Sequence, residues 1–275
     1  MKRILLSISL CLFVGTFCAP TVNSQYVDDE PRAGHTLYEV PPRMLVDMPT
    51  AGTLPRATFN IGVRMYNGGG GLGYVDIGLS NRFMLGISYG AIGILSTAEP
   101  VWNDNVGISV KFRIVDEMEF FPAISVGFTR QGYGAFSEAF DRYAYKSRGF
   151  YAVVSRSFYF YRWTAGWHVG TNMTREDNVD NDDDINLFAG IDATFNYNVA
   201  FLMEYDFALN DNGSTLPTGE DNAFGGKGRG YLNLSVKWLF TENLEIEFIL
   251  KDLLINRRES DTFGRELRMT YIESF

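Results

Sequence analysis

The chain has 275 residues, a formal net charge of −9 and an aromatic content of 15%. An acidic chain with no basic patch is a poor ligand for nucleic acid, because phosphate contacts need clustered Lys and Arg. The length suits one or two soluble domains or a single membrane barrel. Mean hydropathy does not separate these, since each barrel strand hides half of its residues from lipid.

Residues 1–24 read as a secretory signal peptide. Lys2 and Arg3 form the positive start, residues 4–17 the apolar stretch, and Val22-Asn23-Ser24 the cleavage site before Gln25. Cys18 follows the bulky Phe17, where lipoprotein signals place a small residue, so cleavage after Ser24 is preferred to lipidation. Cys11 and Cys18 both lie in this region, which removes disulfides and thiol chemistry from the mature chain. No later stretch approaches the roughly 18 successive apolar residues of a spanning helix. Residues 25–56 form a lead-in punctuated by Pro31, Pro41, Pro42, Pro49 and Pro55. It has no clear period, and a periplasmic extension and a plug in a barrel mouth are both open. His35 reads as solvated or structural.

From residue 57 a period of two takes over. Phe59, Ile61, Val63 and Met65 alternate with Asn60, Gly62 and Arg64. Val75, Ile77 and Leu79 alternate with Asp76 and Gly78; after a tight turn at Ser80-Asn81-Arg82, Phe83, Leu85 and Ile87 continue. In residues 106–128, Ile108, Val110, Phe112 and Ile114 oppose Ser109, Lys111 and Arg113, and a polar turn leads to Ile124, Val126 and Phe128. Such alternation marks strands with one apolar and one polar face. Residues 149–156 are apolar throughout, which leaves their facing ambiguous. Trp163 to Val169, Ile185 to Ile191, Phe201 to Phe207, Leu232 to Trp238 and Leu244 to Leu250 alternate in turn, and a last strand ends at Phe275. The strands match the roughly 9–11 residues needed to cross a bilayer with tilt. About twelve are counted, with short turns alternating with long loops, as in bacterial outer-membrane barrels. The fold expected is therefore all-β: a single antiparallel transmembrane β-barrel of about 12 strands over residues 57–275. A secreted β-sandwich is the alternative, and it explains neither strand length nor loop asymmetry. The expected location is the outer membrane of a Gram-negative bacterium. The expected partners are its lipid and lipopolysaccharide and the barrel-assembly machinery. Tyr271 and the terminal Phe275 resemble the end signal by which such barrels are inserted.

The polar faces carry both signs of charge: Arg64, Asp76, Lys111, Arg113, Arg162, His168, Asp192, Glu204, Asp206, Lys237, Glu245, Glu247, Lys251, Glu266 and Arg268. Ionisable groups are costly against lipid, so this set is expected to line the lumen. A polar pore and a salt-bridged filling of a narrow barrel both fit, twelve strands lying between sealed and wide-open sizes. Asp180, Asp182 and Asp184 alternate in an acidic loop, as in the start of a Ca²⁺ loop, but the glycine and distal glutamate of an EF-hand are missing. A solvated loop without cofactor is the preferred reading. His168 has Gly170 two residues on, where certain outer-membrane lipid hydrolases carry a serine, so no enzyme is expected.

Residues 110–158 resemble the YjbH/GfcD-type family of exopolysaccharide-associated outer-membrane proteins. The likeness rests on Val110-Lys111-Phe112-Arg113-Ile114, Phe121-Pro122-Ala123-Ile124, Gly132-Tyr133-Gly134, Phe136-Ser137 and Val154-Ser155-Arg156. A weaker likeness reaches back to residues 48–51. What the resemblance implies is a barrel linked to polysaccharide production, with polysaccharide-export components as partners. The expected function is a channel that passes, or helps export, small polar or saccharide solutes. A closed structural or assembly barrel is the alternative.

Overall fold

The structure describes residues 42–97, 99–137, 142–160, 163–174, 176, 184–196, 198–212, 225–258 and 260–275. The signal peptide, His35, Arg162, Asp180 and Asp182 lie outside the described residues.

In the computed structural model the described residues form fifteen strands. They are β1 (Thr58–Tyr66), β2 (Gly70–Ser80), β3 (Phe83–Ile92), β4 (Val101–Trp102), β5 (Gly107–Val115), β6 (Ala123–Thr129), β7 (Tyr133–Ser137) and β8 (Arg142–Tyr145), followed by β9 (Gly149–Tyr159), β10 (Trp163–Met173), β11 (Asn186–Phe195), β12 (Val199–Asp206), β13 (Tyr231–Leu239), β14 (Leu244–Lys251) and β15 (Gly264–Ser274). Twelve of them, all but β4, β7 and β8, close into one ring. Each pairs antiparallel with its neighbours in the ring, and β1 against β15 completes the closure, Thr58 facing Ser274 and Arg64 facing Arg268. Closure leaves no strand edge, which is what a sheet in a bilayer requires, because lipid cannot satisfy free peptide groups.

The alternation decides the two faces. Ile61, Ile87, Phe112, Val169, Ile191, Phe201 and Phe248 point outward and are exposed, whereas Arg64, Lys111, His168, Asp192, Glu204 and Glu247 point inward and are buried. The apolar run in β9 resolves the same way: Phe150 and Phe158 face out, while Tyr151, Val153 and Ser155 face in. An apolar exterior around a charged interior is the reverse of a soluble barrel, and places the protein in the outer membrane of a Gram-negative cell. Aromatics crowd the short-turn end. Phe160 stacks on Trp163, Trp163 on Phe195, and Trp238 meets Phe240 edge-on. These form the interfacial girdle. Phe275 closes the last strand there: its amide donates to Ala57 O at 2.8 Å and its ring lies 5.1 Å from that of Phe59.

Two features go beyond the sequence reading. The long connection after β6 is structured: β7 and β8 form a separate hairpin, while β6 pairs directly with β9. Its Tyr133 lies within 5.1 Å of Tyr66 and stacks on Tyr145, which turns the hairpin onto the long-loop mouth of the barrel. The second feature is residues 42–56. They run inside the ring, with Leu45, Val46, Met48, Thr50 and Leu54 fully buried.

Ile191 is half exposed at the middle of β11, between Trp167 and Met203. Ile191→Lys should therefore cost roughly 2–4 kcal/mol of folding free energy in lipid vesicles, as a charge near the midplane does. Urea-dependent unfolding measures it, and an unchanged midpoint would contradict the lipid-facing assignment.

Candidate functional site

The inner segment is a small loop. Thr50 N–H donates to Arg43 O and Leu45 N–H to Met48 O, so residues 43–50 turn back on themselves. The turn leaves other peptide groups pointing at the wall, and buried peptide groups need partners. The charged wall supplies the partners. The amides of Val46, Asp47 and Met48 all donate to Glu204 Oε2, at 3.0, 2.8 and 2.8 Å. Three successive N–H groups around one carboxylate oxygen make an anion nest. Asn233 donates to the other oxygen of Glu204 at 2.7 Å, so the acid is fully occupied by donors. On the opposite side Lys111 Nζ donates to the carbonyls of Arg43, Thr50 and Gly52 at 2.6, 3.1 and 3.0 Å. Arg268 donates to Val46 O at 2.5 Å and is held from behind by Glu247 at 3.1 Å.

Asp47 is the side chain at the tip. Arg64 donates to its carboxylate at 2.5 Å, Lys251 pairs with it, and Arg148 lies 3.8 Å away. Arg64 also binds Glu266 and donates to the Tyr133 hydroxyl at 2.7 Å. That hydroxyl in turn donates to Asp47 at 3.3 Å. The inner loop and the β7–β8 hairpin thus meet at one carboxylate.

The walls are thin where the loop passes. Leu45 packs on Ala200 and Leu202, and Met48 and Ala51 on Ala123, Val153 and Phe188. A Cβ on Gly190 would come 2.2 Å from Leu45 Cδ1 and 2.6 Å from Met203 O, so glycine is needed there. At Gly78 a Cβ would lie 2.0 Å from Pro55 O, where the segment crosses β2 on its way to β1.

β9, β10 and β11 place Ser155, His168 and Asp192 side by side. His168 Nδ1 is 2.7 Å from Ser155 Oγ and Nε2 is 2.7 Å from Asp192 Oδ1. The sequence reading found no hydroxyl partner for His168 along its own strand; the structure brings one from the neighbouring strand. Ser155 Oγ also accepts from Ala51 N–H at 2.8 Å, and Ser125 donates to Ala51 O at 3.0 Å. Ser155 and Ser125 therefore hold the N–H and the C=O of Ala51. The hydroxyl that a nucleophile would use is already engaged with that loop.

The remaining predicted lining residues divide. Asp206 accepts from Arg148 at 2.6 Å and Asn186 at 2.7 Å, and Lys237 sits 3.6 Å from Glu245. Asp76 faces the interior beside Ser109. Arg113 differs from expectation: it lies at the short-turn end, paired with Asp116 and donating to Asn81 O at 2.7 Å, away from the barrel centre. Asp184 is exposed at the edge of its loop. Among the described residues no group of His, Cys, Asp or Glu could hold a metal. In the long-loop cluster Arg142 donates to Asp211 at 2.8 Å, and burial pushes the Glu176 carboxyl above its ordinary value against the hydrogen bonds from Ser147 and the Tyr143 amide.

Beside the inner loop two contiguous cavities remain, about 120 and about 140 Å³. They share Asp47, Tyr74, Asp76, Arg148 and Arg268, and extend from Lys237 and Glu245 near the short turns to Gln131 and Tyr133 near the long loops. A void of this size holds several waters.

No family model and no curated protein matches the chain, so the YjbH/GfcD likeness gains no support from them. Solved structures do resemble it. The KdgM porin aligns with 13% identity over 79% of this chain and 99% of that one, at a TM-score of 0.44. The NanC porin aligns with 10% identity over 79% and 99%, at 0.42. An outer membrane channel from Pseudomonas putida F1 aligns with 11% identity over 80% and 97%, at 0.43. The barrel assignment stands on the closed strand order of this chain, and these likenesses add no solute to it.

Breaking a buried pair leaves its partners unpaired, which typically costs about 3–5 kcal/mol. Asp47→Ala should therefore release the inner loop and expose residues 42–56 to protease at the short-turn end, while Met44→Ala, at a side chain 38% exposed, should not. Limited proteolysis in detergent distinguishes them.

Proposed function

We propose that this protein is an outer-membrane channel whose lumen is occupied by its own N-terminal loop, and that it passes or helps export small polar or saccharide solutes. The observation that carries this is the void alongside the loop, walled by opposed charges such as Lys237, Arg148 and Arg268 against Asp76 and Glu245. Charges taken from water cost desolvation energy, and a barrel built only to be solid is cheaper to fill with apolar side chains. Opposed charges along a wet path sort solutes by hydrogen bonding and sign. The closed structural barrel is the second reading, favoured by the dense bonding of the inner loop. A link to polysaccharide production rests on the resemblance of residues 110–158 alone. A hydrolase is a third reading, raised by Ser155, His168 and Asp192; modification of Ser155 by a fluorophosphonate would revive it.

In planar bilayers the purified protein should show small conductance steps, and Lys237→Gln should shift their selectivity towards cations, since it removes a positive charge from the path. Absence of both conductance and solute uptake into swelling liposomes would leave the closed barrel as the better account.

A further inference from the structure

The wall recognises the inner loop mainly through its backbone. Glu204 takes three amides, Lys111 three carbonyls, Arg268 one carbonyl, Ser155 the N–H of Ala51 and Ser125 its C=O. These contacts are blind to side chains, so a different peptide following the same path would make them equally well. That is how peptide-binding clefts work: main-chain bonds give affinity and a few pockets give selectivity. The pocket here receives Asp47, with the guanidinium of Arg64 and the ammonium of Lys251 converging on it. Two apolar side chains are also seated, Leu45 on Ala200 and Leu202 and Met48 beside Ala123, Val153 and Phe188, both fully buried.

We propose that the lumen is a receptor for short peptides bearing one acidic side chain, and that residues 43–52 occupy it as a built-in stand-in for such a solute. This rests on the channel reading for its physiological sense, and it names the solute class. Among the small polar solutes proposed above it selects peptides, because a peptide presents amide donors for Glu204 and carbonyl acceptors for Lys111 and Arg268 along one chain.

The test uses full-length protein and a fluorescein-labelled, end-blocked peptide with the sequence of residues 43–52. Fluorescence anisotropy should show binding to the Asp47→Ala protein at least about 10-fold tighter than to wild type. Changing the peptide's own Asp to Asn should weaken binding by about 10-fold or more, the worth of a charged hydrogen bond. A decapeptide that keeps Leu, Asp and Met at their positions and carries alanine elsewhere should bind within about 10-fold of the cognate peptide, if the backbone carries the rest of the affinity. An acidic oligosaccharide should not displace either. The same peptides added to wild-type channels should block conductance, which covers the case in which Asp47→Ala fails to assemble. Binding of the cognate peptide alone would mean a dedicated socket and would overturn the proposal. So would insensitivity to Asp→Asn, or displacement by the oligosaccharide. Conductance without peptide binding or block sinks this inference and leaves the channel; peptide binding without conductance sinks the channel and leaves the receptor.

Discussion

A buried peptide group must find a hydrogen-bond partner, and the structure meets that demand twice, against lipid and inside the lumen. The outer ring meets it with twelve strands in a closed ladder, so that no edge faces lipid. The inner loop cannot join that ladder, because the ring is already complete. Its amides and carbonyls are met by side chains, and since these must reach several groups each, they are charged: one carboxylate for three amides and one ammonium for three carbonyls. The charges that look on the sequence like a pore lining thus have a structural occupation as well.

That double use explains how such costly groups are tolerated. Glu204 is fully buried, yet four donors surround it. Asp47 carries the remaining imbalance by drawing Arg64 and Lys251 together. It also connects the two ends of the barrel, because Tyr133 of the outer hairpin shares its carboxylate and its arginine. A shift of the inner loop is felt at the long-loop mouth through this one residue.

Much of the barrel was legible in the sequence. Period-two alternation sets which face each residue takes, and the inward positions of Arg64, Lys111, Asp192, Glu204 and Glu247 follow from it alone. Residues 149–156 were not legible, because Val153 and Val154 are both apolar and only the register with β6 and β10 tells them apart. For the inner loop the sequence left extension and plug both open, for a different reason. It is held through its own backbone groups, which carry no sequence signature, and Asp47 is an unremarkable acid in a proline-rich stretch. Ser155 was missed because its partner His168 is thirteen positions away in sequence and opposite it in the sheet. The β7–β8 hairpin was hidden by glycines and tyrosines that read equally well as loop.

The central claim is that the loop is held in the lumen by its main chain. Hydrogen exchange of the protein in lipid nanodiscs tests it most directly, at the amides of Val46, Asp47, Met48 and Ala51. Bonded to Glu204 and Ser155, they should exchange as slowly as amides in the β11–β12 ladder. Exchange at the rate of a free peptide would show that the loop does not reside in the barrel, and would contradict the account.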